Sequence, residues 1–214
     1  MKSFCACFVM ALAAAASLPS AVAAESPAPA QTASAPAAPR LHAALRELWQ
    51  GHVAQTRAYA VAVKAGDAKT ANAAADGVVA NATSIAGAVG GFYGKPAGDR
   101  MLQLLAGHWG AVKAMTDARH ANDDAGYTAA MQTLTANVDE IAKFLSGANP
   151  NLPEDAVRGL LLAHGAHHAA QIQQLMQSDA AAESATWAAM KQHMDVIADT
   201  LAGAIAKQFP DKAT

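Results

Sequence analysis

Histidine is the residue type in this chain with the most chemistry to offer, and four of its eight histidines share a placement. His52, His108, His164 and His168 each fall in register with the leucines and valines of an apolar stripe that repeats every three or four residues. A neutral imidazole is a common metal ligand, and helical bundles build metal sites from side chains on facing helices. His164 and His168 stand four residues apart, so both rings project from one helical face. That spacing lets them bind one ion or serve two adjacent ones, with His52 and His108 arriving from other helices. Burying so many imidazoles without partners would cost free energy for each, which favours a shared polar or metal site. The plainer alternative, a hydrogen-bonded structural role for each ring, stays open, because H-x-x-x-H arises by chance in alanine-rich helices.

The polar residues available to support such a site are Asn81, Asn137, Asp139, Glu140, His193 and Asp199, with Asp195 beside them. Arg57 lies off the apolar stripe of its helix, where it is either a solvated surface charge or binds an acid at the bundle edge or an anionic ligand. Tyr93, in Gly91-Phe92-Tyr93-Gly94-Lys95, is either a further polar neighbour or the anchor of a turn. His42, His120 and His167 have exposed or helix-end placements. Trp49, Trp109 and Trp187 read as packing residues. Carboxylate-bridged di-iron sites use Glu-x-x-His, which is absent. Hemerythrin-like bundles add H-x-x-x-E on a second helix, but His108 is followed by Val112. A histidine-dominated set suits zinc, copper or nickel, and zinc, copper and iron are carried forward as candidate ions. Met115, Met190 and Met194 lie near the same faces and would favour cuprous ion, although filling a core is the ordinary work of such methionines.

The elements that must position these rings follow from composition and period. Of 214 residues, 53% are hydrophobic, 5% aromatic and 15% charged, and alanine supplies more than a quarter. Alanine loses no side-chain entropy in a helix, whereas strands want β-branched or aromatic residues, so the chain is read as all-α. Six segments show helical period. They run from Leu41 to near Gly66, from Ala68 to Val89, from Ala97 to Arg119, from Ala125 to Leu145, from Glu154 to Leu175, and from Glu183 to Gln208. Breakers separate them, the clearest being Asn149-Pro150-Asn151-Leu152-Pro153. Short connections make neighbours antiparallel, which predicts an up-and-down bundle over residues 40–210. No convincing tandem sequence repeat is read, although the three helical hairpins allow an approximate structural one.

Residues 1–24 have the form of an export signal. Lys2 gives a positive start, Phe4 to Leu18 an apolar run too short to span a bilayer, and Ala21 to Ala24 a small-residue cleavage site. Both cysteines, Cys5 and Cys7, fall inside it, so the processed chain would have no thiol. Residues 25–39 are rich in Pro, Ala and Ser and read as a disordered tether. The expected location is therefore periplasmic or secreted, without a stable membrane anchor. A net charge of −2 argues against a nucleic-acid partner. No phosphate-cradling glycine loop and no G-x-S-x-G elbow is present.

Taken together, several motifs resemble those of a family of small bacterial helical proteins. They are Trp49, His52 and Arg57 as H-x-x-x-x-R, Phe92 to Lys95 as FYGK, and Leu104, Leu105 and His108 as L-L-x-x-H. Asn137 to Pro150, the histidine at His164, and Ile197 to Pro210 ending in Gln-Phe-Pro continue the likeness, which covers nearly all the chain after the tether. The resemblance implies a helical fold and a set of polar positions. Members often carry the label glycosyltransferase, yet this chain has no nucleotide-binding α/β pattern and no D-x-D motif. It departs from the family at Gly107, His168 and Gln171. The function read from the residues is metal storage, buffering or sensing. The alternatives are a structural or interaction module with hydrogen-bonded core histidines, or an enzyme using the same polar cluster.

Overall fold

The computed structural model describes residues 38–213. The expected export signal lies outside the described residues, as does the expected tether up to residue 37. Six helices occupy almost all of the rest: α1 (Pro39–Ala65), α2 (Ala68–Tyr93), α3 (Lys95–His120), α4 (Asp124–Ala148), α5 (Glu154–Met176) and α6 (Ala180–Gln208). There is no strand among the described residues. Several boundaries differ from expectation: α3 begins at Lys95, α4 runs on to Ala148 and α6 begins at Ala180, and two further differences have a plain cause. Pro39 opens α1 instead of closing a tether, because proline is well accommodated in a first turn that has no amide partner to lose. Helix α2 runs on through Gly90, Gly91 and Tyr93 instead of stopping near Val89, packing overriding weak glycine propensity.

Each helix packs antiparallel on the next, and α6 returns against α1, which closes an up-and-down ring. The odd helices α1, α3 and α5 also touch one another, so they form the centre and the even helices lie between them. The three hairpins α1–α2, α3–α4 and α5–α6 repeat with a period of 56 residues, which corrects the reading that no tandem repeat is present. Asp67, Asp123 and Asp179 each cap the second helix of a hairpin, their carboxylates accepting from the amides of Thr70, Gly126 and Ala182. The residues just before them, Gly66, Asn122 and Ser178, all take left-handed backbone, with φ of 70°, 57° and 62°. The Asp amides reach back to the carbonyls of Ala62, Ala118 and Gln174, closing each first helix in the same way. Ile85, Ile141 and Ile197, followed by Ala86, Ala142 and Ala198, supply the same buried pair from each even helix.

A side chain from each even helix clamps the odd helix before it. Asn81 donates to the Leu48 carbonyl at 2.9 Å and Asn137 to the Leu104 carbonyl at 3.0 Å. His193 Nε2 lies 2.8 Å from the Leu160 carbonyl, the third member of the series. Gly51 and Gly107 make room for the two asparagines: a Cβ at either position would come within 3.0 Å of the amide nitrogen.

Candidate metal centre

The repeat carries one histidine per hairpin to the middle of the bundle. His52 on α1, His108 on α3 and His164 on α5 occupy equivalent positions four residues after the clamped leucine carbonyls, on the three helices that meet at the centre. Their rings form a nearly equilateral triangle, with centroids 5.9, 5.9 and 5.5 Å apart. His168 stands one turn further along α5, with its ring 4.4 Å from His164, 6.1 Å from His108 and 6.2 Å from His52. The equivalent positions in the other hairpins are Thr56 and Val112, so the cluster is a symmetric trio plus one.

All four rings are at most 3% exposed, and one nitrogen from each lies within 4.8 Å of one from every other. With metal–nitrogen bonds of about 2.0–2.1 Å, a tetrahedral ion holds its ligand nitrogens about 3.4 Å apart. The widest separation in the set exceeds that by about 1.4 Å, so the four rings lie close enough together that they could hold one ion. His164 Nε2 and His168 Nε2 already sit 3.0 Å apart and hydrogen-bond each other. By contrast His52 Nδ1, His164 Nδ1 and both nitrogens of His108 are buried with no hydrogen-bond partner. Each such orphan costs roughly 1–3 kcal/mol.

Burial holds these rings neutral. It pushes the pKa of His52 down to about 3, helped by neighbouring His108. It takes His108 to about 4, opposed only in part by the Asn137 amide. His164 and His168 are lowered well below the usual imidazole range, first by burial and then by the surrounding imidazoles. Neutral imidazole is the form that ligates a metal, so the set requires no deprotonation at pH 7.

The expected supporting residues divide. Asn81, Asn137 and His193 lie close behind the trio, but as the interhelical clamps described above. The carboxylates are elsewhere. Asp139 is exposed and paired with Arg158 at 2.6 Å, and Glu140 is exposed and paired with Arg100 at 3.0 Å. Asp199 accepts from Arg46 and from His42 Nδ1 at 2.9 Å on the outer side of α6, while Asp195 accepts from Gln50. Their acidity faces solvent because each sits off the apolar stripe of its helix. Tyr93 is not beside the histidines either: its hydroxyl accepts from Asn149 at 2.8 Å and donates to Gln208 at 3.1 Å, tying the bundle end together. Arg57 is not a solvated surface charge but binds an acid at the bundle edge. Its guanidinium donates twice to Glu183, at 2.6 and 2.8 Å, and Gln171 donates to the same carboxylate at 2.9 Å. Arg57 holds the Glu183 carboxyl below its usual range. Glu183 and Gln171 were not singled out as a pair from the sequence. The available signal was that Glu183 shares the stripe of Trp187 and Met190 on α6.

The donor set of the cluster is therefore nitrogen alone, with no carboxylate. Met115, Met190 and Met194 are fully buried within the apolar clusters around it. No family model, curated protein or solved structure matches this chain. No described helix is long and apolar enough to cross a membrane.

Proposed function

We propose that this is an exported helical-bundle protein that binds a transition-metal ion through His52, His108, His164 and His168, storing, buffering or sensing it. The observation that carries the reading is the convergence of four buried imidazoles, each offering a nitrogen within 4.8 Å of the others. A purely structural histidine network satisfies its own donors and acceptors, whereas His52 and His164 each keep a buried nitrogen without a partner and His108 has only the Asn137 side chain near it. An ion supplies what the protein does not. An all-imidazole set suits zinc and copper better than iron, which is usually held with oxygen ligands. Export is supported by the composition of residues 1–24 alone.

Elemental analysis of protein exposed to zinc, cuprous or ferrous ion and then desalted is expected to give one ion per chain. His108→Ala and His164→Ala are expected to retain none. Wild type free of metal, or variants that keep it, would overturn the reading. Amino-terminal sequencing of protein recovered from the periplasm or medium tests export, with a new terminus after Ala23 or Ala24 as the expected result.

A further inference from the structure

The four buried histidines have a neighbouring pair that the metal centre does not use. His167 follows His164 by three residues on α5, and its ring centre lies 5.4 Å from that of His193 on α6. Both rings are half-buried at the seam between these helices, whereas the four are at most 3% exposed. His193 adjoins the inner set, since its Nε2 lies 2.8 Å from the Leu160 carbonyl. That oxygen also receives the His164 amide within α5. A carbonyl only accepts, so Nε2 carries the proton and Nδ1 of His193 keeps a free lone pair. The clamp itself needs only a donor, which Asn81 and Asn137 supply in the other hairpins. An imidazole at this position adds a nitrogen ligand that asparagine lacks. The remaining histidines are remote along their helices: His42 precedes His52 by ten residues, about 15 Å, and His120 follows His108 by twelve, about 18 Å.

We propose that His167 and His193 form an outer metal site that takes an ion from solvent and passes it to the buried four. This rests on the metal reading above. Two imidazoles on one tetrahedral ion, with metal–nitrogen bonds of about 2.0–2.1 Å, have ring centres about 5.2 Å apart, close to the spacing of this pair. No third histidine or carboxylate joins the pair within ligand reach among the described residues, so water fills the other positions. Two protein ligands hold an ion more loosely than four, so transfer runs inward. The outer pair then serves acquisition, and the buried set retention.

Zinc is the probe. Protein loaded with zinc and desalted, so that only the inner set is filled, is titrated with further zinc by calorimetry. Wild type is expected to take up one further, weaker equivalent, and His167→Ala and His193→Asn are expected to lose it. His193→Asn keeps the clamp in the form that the first two hairpins use, which separates the ligand from the clamp. Loading of metal-free protein is then followed by adding chelator at intervals and counting the zinc retained. Over concentrations spanning the dissociation constant of the second equivalent, the wild-type loading rate is expected to level off, because the outer site fills first. Both variants are expected to retain one zinc at equilibrium and to lose this levelling. No further equivalent in wild type, or one that persists in either variant, overturns the outer site. A wild-type rate that stays proportional to zinc, levelling that persists in either variant, or a variant that retains no zinc overturns the transfer. Wild type that retains no zinc after desalting also overturns it, and the metal reading falls too only if cuprous and ferrous ion are likewise lost.

Discussion

The third hairpin, α5–α6, differs from the first two in where it has changed and where it has not. All three keep the aspartate cap, the left-handed residue before it, the buried isoleucine–alanine pair and a central histidine. These are the features that close a hairpin and seat it against the others. The third alone has His168 where the others have Thr56 and Val112, and His193 where they have Asn81 and Asn137. It also has Gln171 where they have Tyr59 and Met115, with Glu183 and Arg57 behind it. The repeated features make the fold, and His168 and Gln171 place polar groups on the side of the trio that follows it along α5. The contrast separates what the bundle needs from what the centre adds.

Acid is expected to break this comparison most strongly. The folded imidazoles have lowered pKa values, about 3 for His52 and about 4 for His108, and lower than usual for His164 and His168. Unfolded histidine titrates near 6.5, so below that pH the unfolded chain takes up protons that the folded chain refuses. Their contribution to the stability of the metal-free protein is present above about pH 6.5 and is lost as pH falls. Each ring contributes up to about 1.4 kcal/mol per pH unit, so four give a slope of about 5 kcal/mol per unit at its steepest. Urea titrations between pH 7 and 5 measure it. His168→Val, which gives the third hairpin the residue of the second, is expected to reduce the slope by about a quarter. An unchanged slope would show that His168 is protonated in the folded protein.

Removing single rings sharpens the distinction between trio and addition. His108→Leu is expected to weaken metal binding by more than about 100-fold, beyond the range seen when only a supporting residue is lost. The same change is expected to raise metal-free stability by about 1–3 kcal/mol, since two unpartnered nitrogens leave the core. His168→Val is expected to be the milder lesion for metal, because three equivalent imidazoles remain. Competition titration with a chromogenic chelator checks both, and equal losses would show that His168 contributes as much to binding as a member of the trio.

Much of the fold could be read from the chain before its coordinates. Helical period and the Asn149–Pro153 breaks give six helices because they are local properties, decided within a few turns. The four histidines were also legible, since a polar residue in register with leucines must either be satisfied or be used. The outer polar residues were not. Asp139, Glu140 and Asp199 were grouped with the site by sequence neighbourhood, but a carboxylate one position off the stripe turns through about 100° to solvent, where an arginine meets it. The repeat is faint in the sequence because alanine fills so much of it that few positions carry information. The equal spacing of His52, His108 and His164 was the signal that would have shown it.

The clamps offer a smaller test. Asn137→Ala removes a donor from the Leu104 carbonyl and is expected to cost about 0.5–1.5 kcal/mol. His193→Asn puts the residue of the first two hairpins into the third and is expected to stay within about 0.5 kcal/mol of wild type. If it instead lowers metal affinity tenfold, His193 supports the centre as well as the hairpin. Thermal unfolding with and without metal distinguishes the two.

The smallest effect concerns the turn. Left-handed backbone costs an L-residue roughly 1–2 kcal/mol, less for asparagine and nothing for glycine. Gly66 therefore sits at φ 70° without strain, Asn122 at 57° with little, and Ser178 at 62° with the most. Serine recovers part of this by accepting from Lys64 at 2.7 Å, but the contact is exposed and contributes little. Ser178→Gly is expected to stabilise the protein by about 0.5–1 kcal/mol, because relieved strain exceeds the added entropy of the unfolded chain. For a chain of this size that raises the unfolding midpoint by about 2 °C. Gly66→Ser, the same exchange made backwards in the first hairpin, is expected to lower it by a similar amount. Opposite shifts at two residues 112 positions apart would establish that the hairpins share one turn geometry. A loss of stability in both variants would mean that the Lys64 contact, absent from the other two turns, holds the third one in place.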